Sequence, residues 1–449
     1  MRKTILSHWF FILLLLLLST FFLSGVAKIP FHPDESTLIY MSSDFEQLLS
    51  DPLSMSWGTG DLVPDVVRYR MIDAPLTRYL LGIGRLLSQN PAPKVDWDWS
   101  ATWEENTIAG ALPGKQLLHI ERILIASLFP VTIILLYLIG IKLDGKSLGI
   151  LIILVFSLNP LILLHTRRAM AEGMLIFGLA LALYSFLTLE RHPILVGLAL
   201  AVAFNAKHSA FVLFPIGLLA IFWSSFSTSR SLSRLFFNVS QFIFGFGLLT
   251  LVLNPFLWRN PIAAAYEAYD QRQNLLAQQQ EDFKNQFPAQ ILETSTERLM
   301  VMLAQITIAP PIFAEVGNYR EETLQAESEY LQTQGNVTGR NFLIGGILLG
   351  SILLGILSSV RELFVGGTGR RRNAVILLLS TFAMIVGHII MIPLSWQRYY
   401  VPLIPFTSIL TGLGIIWVIK NSRRIYSHGS LSSRLSQILA QFSANSRMP

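Results

Sequence analysis

The sequence predicts an all-α protein that crosses a membrane many times. Three observations carry this expectation. Of 449 residues, 52% are apolar and only 14% are charged, with a mean hydropathy of +0.52, whereas a soluble domain carries roughly 25% charged residues. The apolar residues gather into about ten stretches, most of them near the ~20 residues that span a bilayer as helix. The connections between stretches alternate in character, every second one being basic, as cytoplasmic loops are.

The first stretch, 8–27, is almost pure Leu, Phe and Ile from Trp9 to Val26. Its competing reading is a signal peptide, with Arg2 and Lys3 ahead of an apolar core. A long segment, 28–117, follows and carries the run Phe31-His32-Pro33-Asp34-Glu35-Ser36. Its stretch from Pro64 to Leu87 reads as amphipathic helix at the interface, with Trp97, Trp99 and Trp103 at headgroup depth. Spans are then expected at 118–141, 147–165 and 170–189. The apolar run from Ile194 to Phe226 would be about 50 Å long as one helix, too long for a bilayer. It is therefore expected as two helices, 194–206 and 208–226, meeting near Asn205-Ala206-Lys207-His208. A span at 235–257 precedes a second long segment, 258–340, rich in Gln, Glu and Asn and helical from Ala263 to Phe283. Within it, Leu299 to Val316 is apolar but broken by Pro310-Pro311, which suggests a re-entrant or interfacial piece. Spans at 341–360, 373–393 and 399–419 complete the set, and 431–442 has apolar residues at helical spacing, as for a helix resting on the membrane.

Charge orients the chain. Arg2 and Lys3, Lys142 and Lys146, Arg191, Arg230 and Arg234, the run Arg361 to Arg372, and Lys420, Arg423 and Arg424 fall on one side. That side is expected to be cytoplasmic, together with both termini and the tail 421–449. The long segments 28–117 and 258–340 then become non-cytoplasmic loops. With no cysteine, disulfides and thiolate metal sites are excluded. HExxH is absent, and no basic patch with interleaved aromatics indicates nucleic acid. Asn336-Val337-Thr338 is a glycosylation sequon of a kind common by chance.

Some charges break the pattern. His165, Arg167, Arg168, Lys207, His208 and Arg398 fall at the outer ends of spans, with Glu172 inside the start of the fourth, level with Asp34 and Glu35. Each has a bland reading. Lys207 can snorkel to lipid phosphate, Arg168 and Glu172 can pair at i and i+4 on one helix, and Arg398 beside Tyr399 can anchor at an aromatic belt. Taken together they place acids that can accept a proton opposite bases that can hold a phosphate, at one membrane face.

On these motifs the chain resembles the GT-C superfamily of membrane glycosyltransferases, in the protein O-mannosyltransferase and aminoarabinose-transferase branch. The matching residues are Pro33-Asp34-Glu35, the step from Arg168 to Glu172, Lys207 followed by an apolar run to Pro215, and Arg398-Tyr399-Tyr400-Val401-Pro402 through Pro405. Asn254-Pro255-Phe256-Leu257-Trp258 also has the look of the segment that ends the family's seventh helix. Two departures are Glu172, where the family often has Asp, and the loop 258–340, which matches nothing in it. The resemblance implies a GT-C-like catalytic core over 1–260 with first outer loop 28–117, an acceptor-side element in 258–340, and C-terminal helices over 341–420. It further implies inverting transfer of a sugar from a polyprenyl-phosphate donor to a hydroxyl on a protein, lipid or glycan.

Asp34 would be the base and Glu35 would orient the acceptor or the neighbouring helix. Lys207, Arg168 and Arg398 would hold the donor phosphate, with Glu172, His208 and Tyr399 in support. No cofactor is required on this reading, although a divalent cation on Asp34, Glu35 and Glu172 remains an alternative. The expected setting is the cell (inner) membrane, with membrane lipids and no nucleic acid as partners. The rival function is a transporter or flippase of an anionic lipid or solute, but the inverted repeats and mid-membrane helix breaks of such proteins are not evident.

Overall fold

A computed structural model describes residues 2–58, 65–228, 231–315 and 319–428. The chain opens with α1 (Arg2–Ser24), then leaves the bundle for short helices α2 (Pro33–Met41), α3 (Asp44–Ser50), α4 (Asp65–Ile72), α5 (Pro75–Ser88) and α6 (Trp103–Ala109). It returns through α7 and α8 (Lys115–Ala126 and Leu128–Asp144), then α9 (Lys146–Ser157) continued by α10 (Pro160–His165). Next come α11 (Ala171–Thr188), α12 (Pro193–Ala206), α13 (Phe214–Thr228) and α14 (Leu232–Leu253). A second outer segment holds α15 (Pro261–Gln286), α16 (Ser295–Thr307) and α17 (Arg320–Gln332). Finally α18 (Phe342–Val365), α19 (Thr368–Met391) and α20 (Ile404–His428) close the bundle. Among the described residues there is no strand, only an isolated antiparallel bridge between Ile291 and Leu394.

Eight segments are long and apolar enough to cross a membrane, and α9 and α12 are shorter apolar helices of 12 and 14 residues. The ten expected spans are all present as helices, and the chain is an all-α, multi-pass membrane protein. The breaks have local causes. Asn159 caps α10 through its side chain and Pro160 opens it, so 147–165 is two helices rather than one. The helix expected from Pro64 to Leu87 divides at Asp73-Ala74, because the residue before Pro75 is driven to extended geometry (φ −67°, ψ 140°). The run Ile194 to Phe226 divides where expected. Lys207 is extended (φ −160°, ψ 128°), a 3-10 turn over His208–Leu213 follows, and α13 restarts with Pro215 in its first turn. The helix expected over 431–442 lies outside the described residues, as does the tail from 429.

The bundle packs closely where glycine removes a side chain. A Cβ at Gly197 or Gly245 would collide with backbone of α14 or α12, and one at Gly355 or Gly414 with backbone of α20 or α18. Small residues let membrane helices approach backbone to backbone, since lipid supplies no hydrophobic drive between them. Burial in the bundle is concentrated on α8, α9, α11, α12 and the last helix, with Phe156, Leu179, Phe186, Leu200, Phe242 and Phe406 fully enclosed.

The two outer segments fold against each other over one end of this bundle. Trp97 and Ala111 of the first pack with Tyr319 of the second, flanked by Phe31, Trp103 and Ala314. Trp57 N–H donates to the Phe256 carbonyl (3.0 Å). Farther along, Phe283 seats on Leu394 and Trp396. The apolar run from 299 becomes α16 and then, past Thr307, a non-helical strap ending at Glu315, as the two prolines dictate. Its Phe313 turns onto Ile29, Leu164 and Tyr330, so this surface faces protein.

Candidate active site

The site is built outward from the first turn of α2. His32 sits at the N-cap in extended geometry, a position usually filled by Ser, Thr, Asp or Asn, and its ring accepts the Asp34 N–H at Nδ1 (3.1 Å). Glu35 reciprocates, its Oε2 accepting the His32 N–H (3.1 Å), and Pro33 fills the first helical position. Neighbouring helical residues project about 100° apart, so the carboxylate pair is split. Asp34 stays 31% exposed whereas Glu35 is fully enclosed.

Glu35 is saturated. Arg122 donates to it twice, Nε to Oε1 (2.7 Å) and Nη2 to Oε2 (2.6 Å), and the Ala169 N–H donates to Oε1 (2.9 Å). Arg122 also donates to the Ile29 carbonyl (2.8 Å). Burial pushes the Glu35 carboxyl up, but Arg122, with help from Arg168 and Ala169, outweighs it and holds the group below its usual range. Of the two roles considered from sequence, orienting the helix is the one its contacts serve. No face is left for an acceptor.

Asp34 pairs with Arg398. The guanidinium lies over Trp396 and Tyr399, at 4.8 and 5.6 Å from the ring centroids, and its Nε is 3.8 Å from Glu315 Oε1. Glu315 also binds His32, whose Nε2 donates to Oε2 (2.8 Å) because Nδ1 is already an acceptor. Burial raises the Glu315 carboxyl, yet Arg398 and His32 outweigh it and hold it far below the normal range. Beside this group, Lys207 donates to Glu172 Oε1 (2.9 Å) and lies 5.3 Å from the Tyr399 ring centroid. Lys207 remains 26% exposed and Glu172 is buried. Glu172 therefore pairs across helices. The i, i+4 pair with Arg168 does not form, because α11 begins only at Ala171 and residues 166–170 are not helical.

The remaining expected residues separate. Arg168 is fully buried and donates Nη2 to the Phe313 carbonyl (3.0 Å), anchoring the strap instead of opening onto the site. His208 is half-buried, its ring 4.9 Å from Phe204. Asp34, Glu35 and Glu172 each hold a different cation and do not converge, so the alternative of a divalent cation on these three does not fit the arrangement. Among the described residues no other group of three or more His, Asp or Glu is placed for a metal.

Several residues were missed by the sequence reading. Arg122 breaks the charge rule at the outer end of the second span and could have been flagged by it. Glu315 is the one acid inside the apolar stretch Leu299 to Val316. His32 was read only as part of a motif. Asp73 of the first outer segment and Arg272 of α15 have no motif at all. Burial raises the Asp73 carboxyl, opposed mainly by Arg272 and Arg78, and the charges of Asp34 and Lys207 also reach it.

Over residues 75–261 the sequence matches the family model for dolichyl-phosphate-mannose-protein mannosyltransferases. No curated protein matches the sequence. The structure resembles ArnT from Cupriavidus metallidurans bound to undecaprenyl phosphate, at 14% identity and a TM-score of 0.51, covering 91% of this chain and 60% of that one. It also resembles the oligosaccharyltransferase of Archaeoglobus fulgidus tethered to an acceptor peptide, at 13% identity and a TM-score of 0.50, covering 93% of this chain and 50% of that one. The chain thus spans only half to three fifths of these proteins. The likeness establishes that the chain shares the fold of these proteins.

Proposed function

We propose that this GT-C-fold protein is a membrane glycosyltransferase that moves a sugar from a polyprenyl-phosphate carrier to a hydroxyl acceptor, with inversion and with Asp34 as general base. The observation that carries this is the arrangement around Asp34. It is a carboxylate open to the surface, held by a buried arginine beside the partly exposed ammonium of Lys207, beneath two outer segments. The partial match to a dolichyl-phosphate-mannose-dependent family and the ArnT fold seen with undecaprenyl phosphate support a polyprenyl-phosphate donor.

In this reading the acceptor oxygen attacks the anomeric carbon while its proton passes to an Asp34 oxygen. The bond from that carbon to the phosphate oxygen breaks, its electron pair staying on the phosphate. One displacement inverts the centre. Lys207 gives one N–H to Glu172 and has two left for the phosphate. Arg398 is the second cation at hand, so the growing charge meets fixed donors at the moment it forms. Arg168 holds the strap in place, outside the phosphate contacts. The face is the non-cytoplasmic one, with both termini cytoplasmic, as the basic connections indicate.

The test is turnover of a polyprenyl-phosphate-linked, isotope-labelled sugar by purified protein in lipid nanodiscs. Asp34→Asn should reduce transfer by at least ~100-fold while leaving the protein folded. Near-normal transfer by that variant would sink the assignment.

A further inference from the structure

The strap of the second outer segment brings one acid to the back of the proposed base. We propose that Glu315 is a positioning residue that acts through His32: it locks the imidazole as the N-cap of α2 and thereby fixes Asp34. This rests on the assignment of Asp34 above, and it places the segment 258–340 inside the catalytic apparatus as well as beside the acceptor.

The reasoning starts from the cap. An imidazole can accept the Asp34 N–H only at an unprotonated Nδ1, so the ring's proton must sit on Nε2. Nε2 points at Glu315 Oε2, at 2.8 Å, and both side chains are buried, so no water competes for that proton. A buried acceptor on Nε2 fixes both tautomer and ring orientation. Ser or Asn would need no such partner at an N-cap, whereas a histidine there can turn or take a second proton and release the Asp34 N–H. Three groups therefore stand in series: Glu315, His32, and the backbone that aims Asp34. Glu315 also lies within 3.8 Å of Arg398, the cation on the Asp34 carboxylate. The strap that delivers it is itself held, by Arg168 on the Phe313 carbonyl and by the Ile312 N–H donating to Gln397 Oε1 (2.7 Å). Tyr319 and Trp99 pack edge-on to His32, at 5.8 and 6.3 Å between ring centroids, so the imidazole has no room to drift sideways.

A double-mutant cycle tests this. Glu315→Leu should lower kcat for sugar transfer by about 100-fold, as misplacement of a base does, and leave the donor KM within about threefold. Glu315→Gln, whose amide oxygen still accepts from Nε2, should retain activity within about tenfold of the parent. His32→Asn supplies a cap that needs no Glu315, so adding Glu315→Leu to it should cost little. A measurement independent of turnover accompanies the cycle. Amide exchange over residues 34–37 should quicken by about fivefold in Glu315→Leu and not in Glu315→Gln or His32→Asn.

Equal losses from Glu315→Leu in the parent and His32→Asn backgrounds, or a raised donor KM at unchanged kcat, would overturn the proposal. So would unchanged amide exchange in Glu315→Leu. If exchange responds as expected but the parent protein consumes no polyprenyl-phosphate sugar, it is the enzymatic assignment that fails, and the cap mechanism stands.

Discussion

At the scale of single residues, the charges that broke the positive-inside pattern have two explanations. Some close off helix ends. Arg167 donates Nε to the Phe22 carbonyl (2.8 Å) and Nη2 to that of Phe21 (3.1 Å), at the C-terminus of α1. Two arginines of the second outer segment, not among those exceptions, do likewise: Arg298 reaches Ile389 and Ile390 at the end of α19, and Arg340 reaches Gln305 and Ile306 in α16. A cation there meets orphan carbonyls and the negative end of the helix dipole. Lys207 and Arg398 remain open to the site or one contact from it, and the sequence alone could not separate these two groups, since both fall at the same depth. The acidic pair divides in the same way. Removing Glu35 (Glu35→Ala) would leave Arg122 buried without its partner, a loss of about 3–5 kcal/mol, and should appear as a lost yield of folded protein, whereas Asp34→Asn should express normally. The pH dependence follows from the lowered carboxyls of Glu35 and Glu315. A group whose folded value lies below its unfolded one contributes fully above the unfolded value, here about 4.5, and loses that contribution as pH falls toward the folded value. The melting temperature should therefore be insensitive to these groups near neutrality and drop below about pH 4.5, with a shallower drop in Glu315→Gln. An equally steep drop in that variant would remove Glu315 from the account. Lys207→Gln keeps a hydrogen bond for Glu172 but removes the charge. It should raise the donor KM by about tenfold with little change in the acceptor KM.

At the scale of elements, hydropathy located the ten apolar segments expected, because a segment in lipid must satisfy its backbone hydrogen bonds within itself, as helix. The break at Lys207 was legible because one helix of that length has nowhere to go. The 166–170 turn was not legible. No proline or glycine interrupts Thr166 to Ala171, and the chain leaves helix there because tertiary partners compensate, Glu35 accepting the Ala169 N–H and Arg168 reaching the strap. Nor could the strap's course be read, since an apolar run broken by two prolines fits an interfacial piece as well as one buried against protein. Helix contacts made through glycine leave a plain signature and a plain test. Gly355→Leu would drive a branched side chain into the Leu410 carbonyl of α20. It should lower the yield of monodisperse protein and the melting temperature by an amount typical of overpacking, about 1–3 kcal/mol or more. An unperturbed variant would mean that α18 and α20 are farther apart than described.

At the scale of the whole molecule, the two ends of the bundle differ in kind. One end gathers the basic connections, where Arg372 pairs with Glu190 and Lys420 with Asp144, tying the segments after α8 and α11 to the last helices. The other end carries both outer segments, the split carboxylates and the cations that answer them. The sequon there is closed to modification by its own packing. Asn336 is buried, accepts from Arg167 Nη1 (3.3 Å) and donates to the Tyr330 carbonyl (3.1 Å), so intact mass should show no glycan at that residue. Charge asymmetry of this sort sets orientation during insertion, because short basic loops stay on the cytoplasmic side. The donor reading depends on that orientation, since it puts the sugar acceptor outside. A chain with no cysteine allows a direct check. Glu104→Cys lies exposed near α6 and Arg371→Cys lies exposed among the basic connections. A membrane-impermeant maleimide applied to intact cells should label the first and leave the second until the membrane is opened. The reverse pattern would put Asp34 on the cytoplasmic side, and transfer to an acceptor beyond the membrane could then not be this protein's activity.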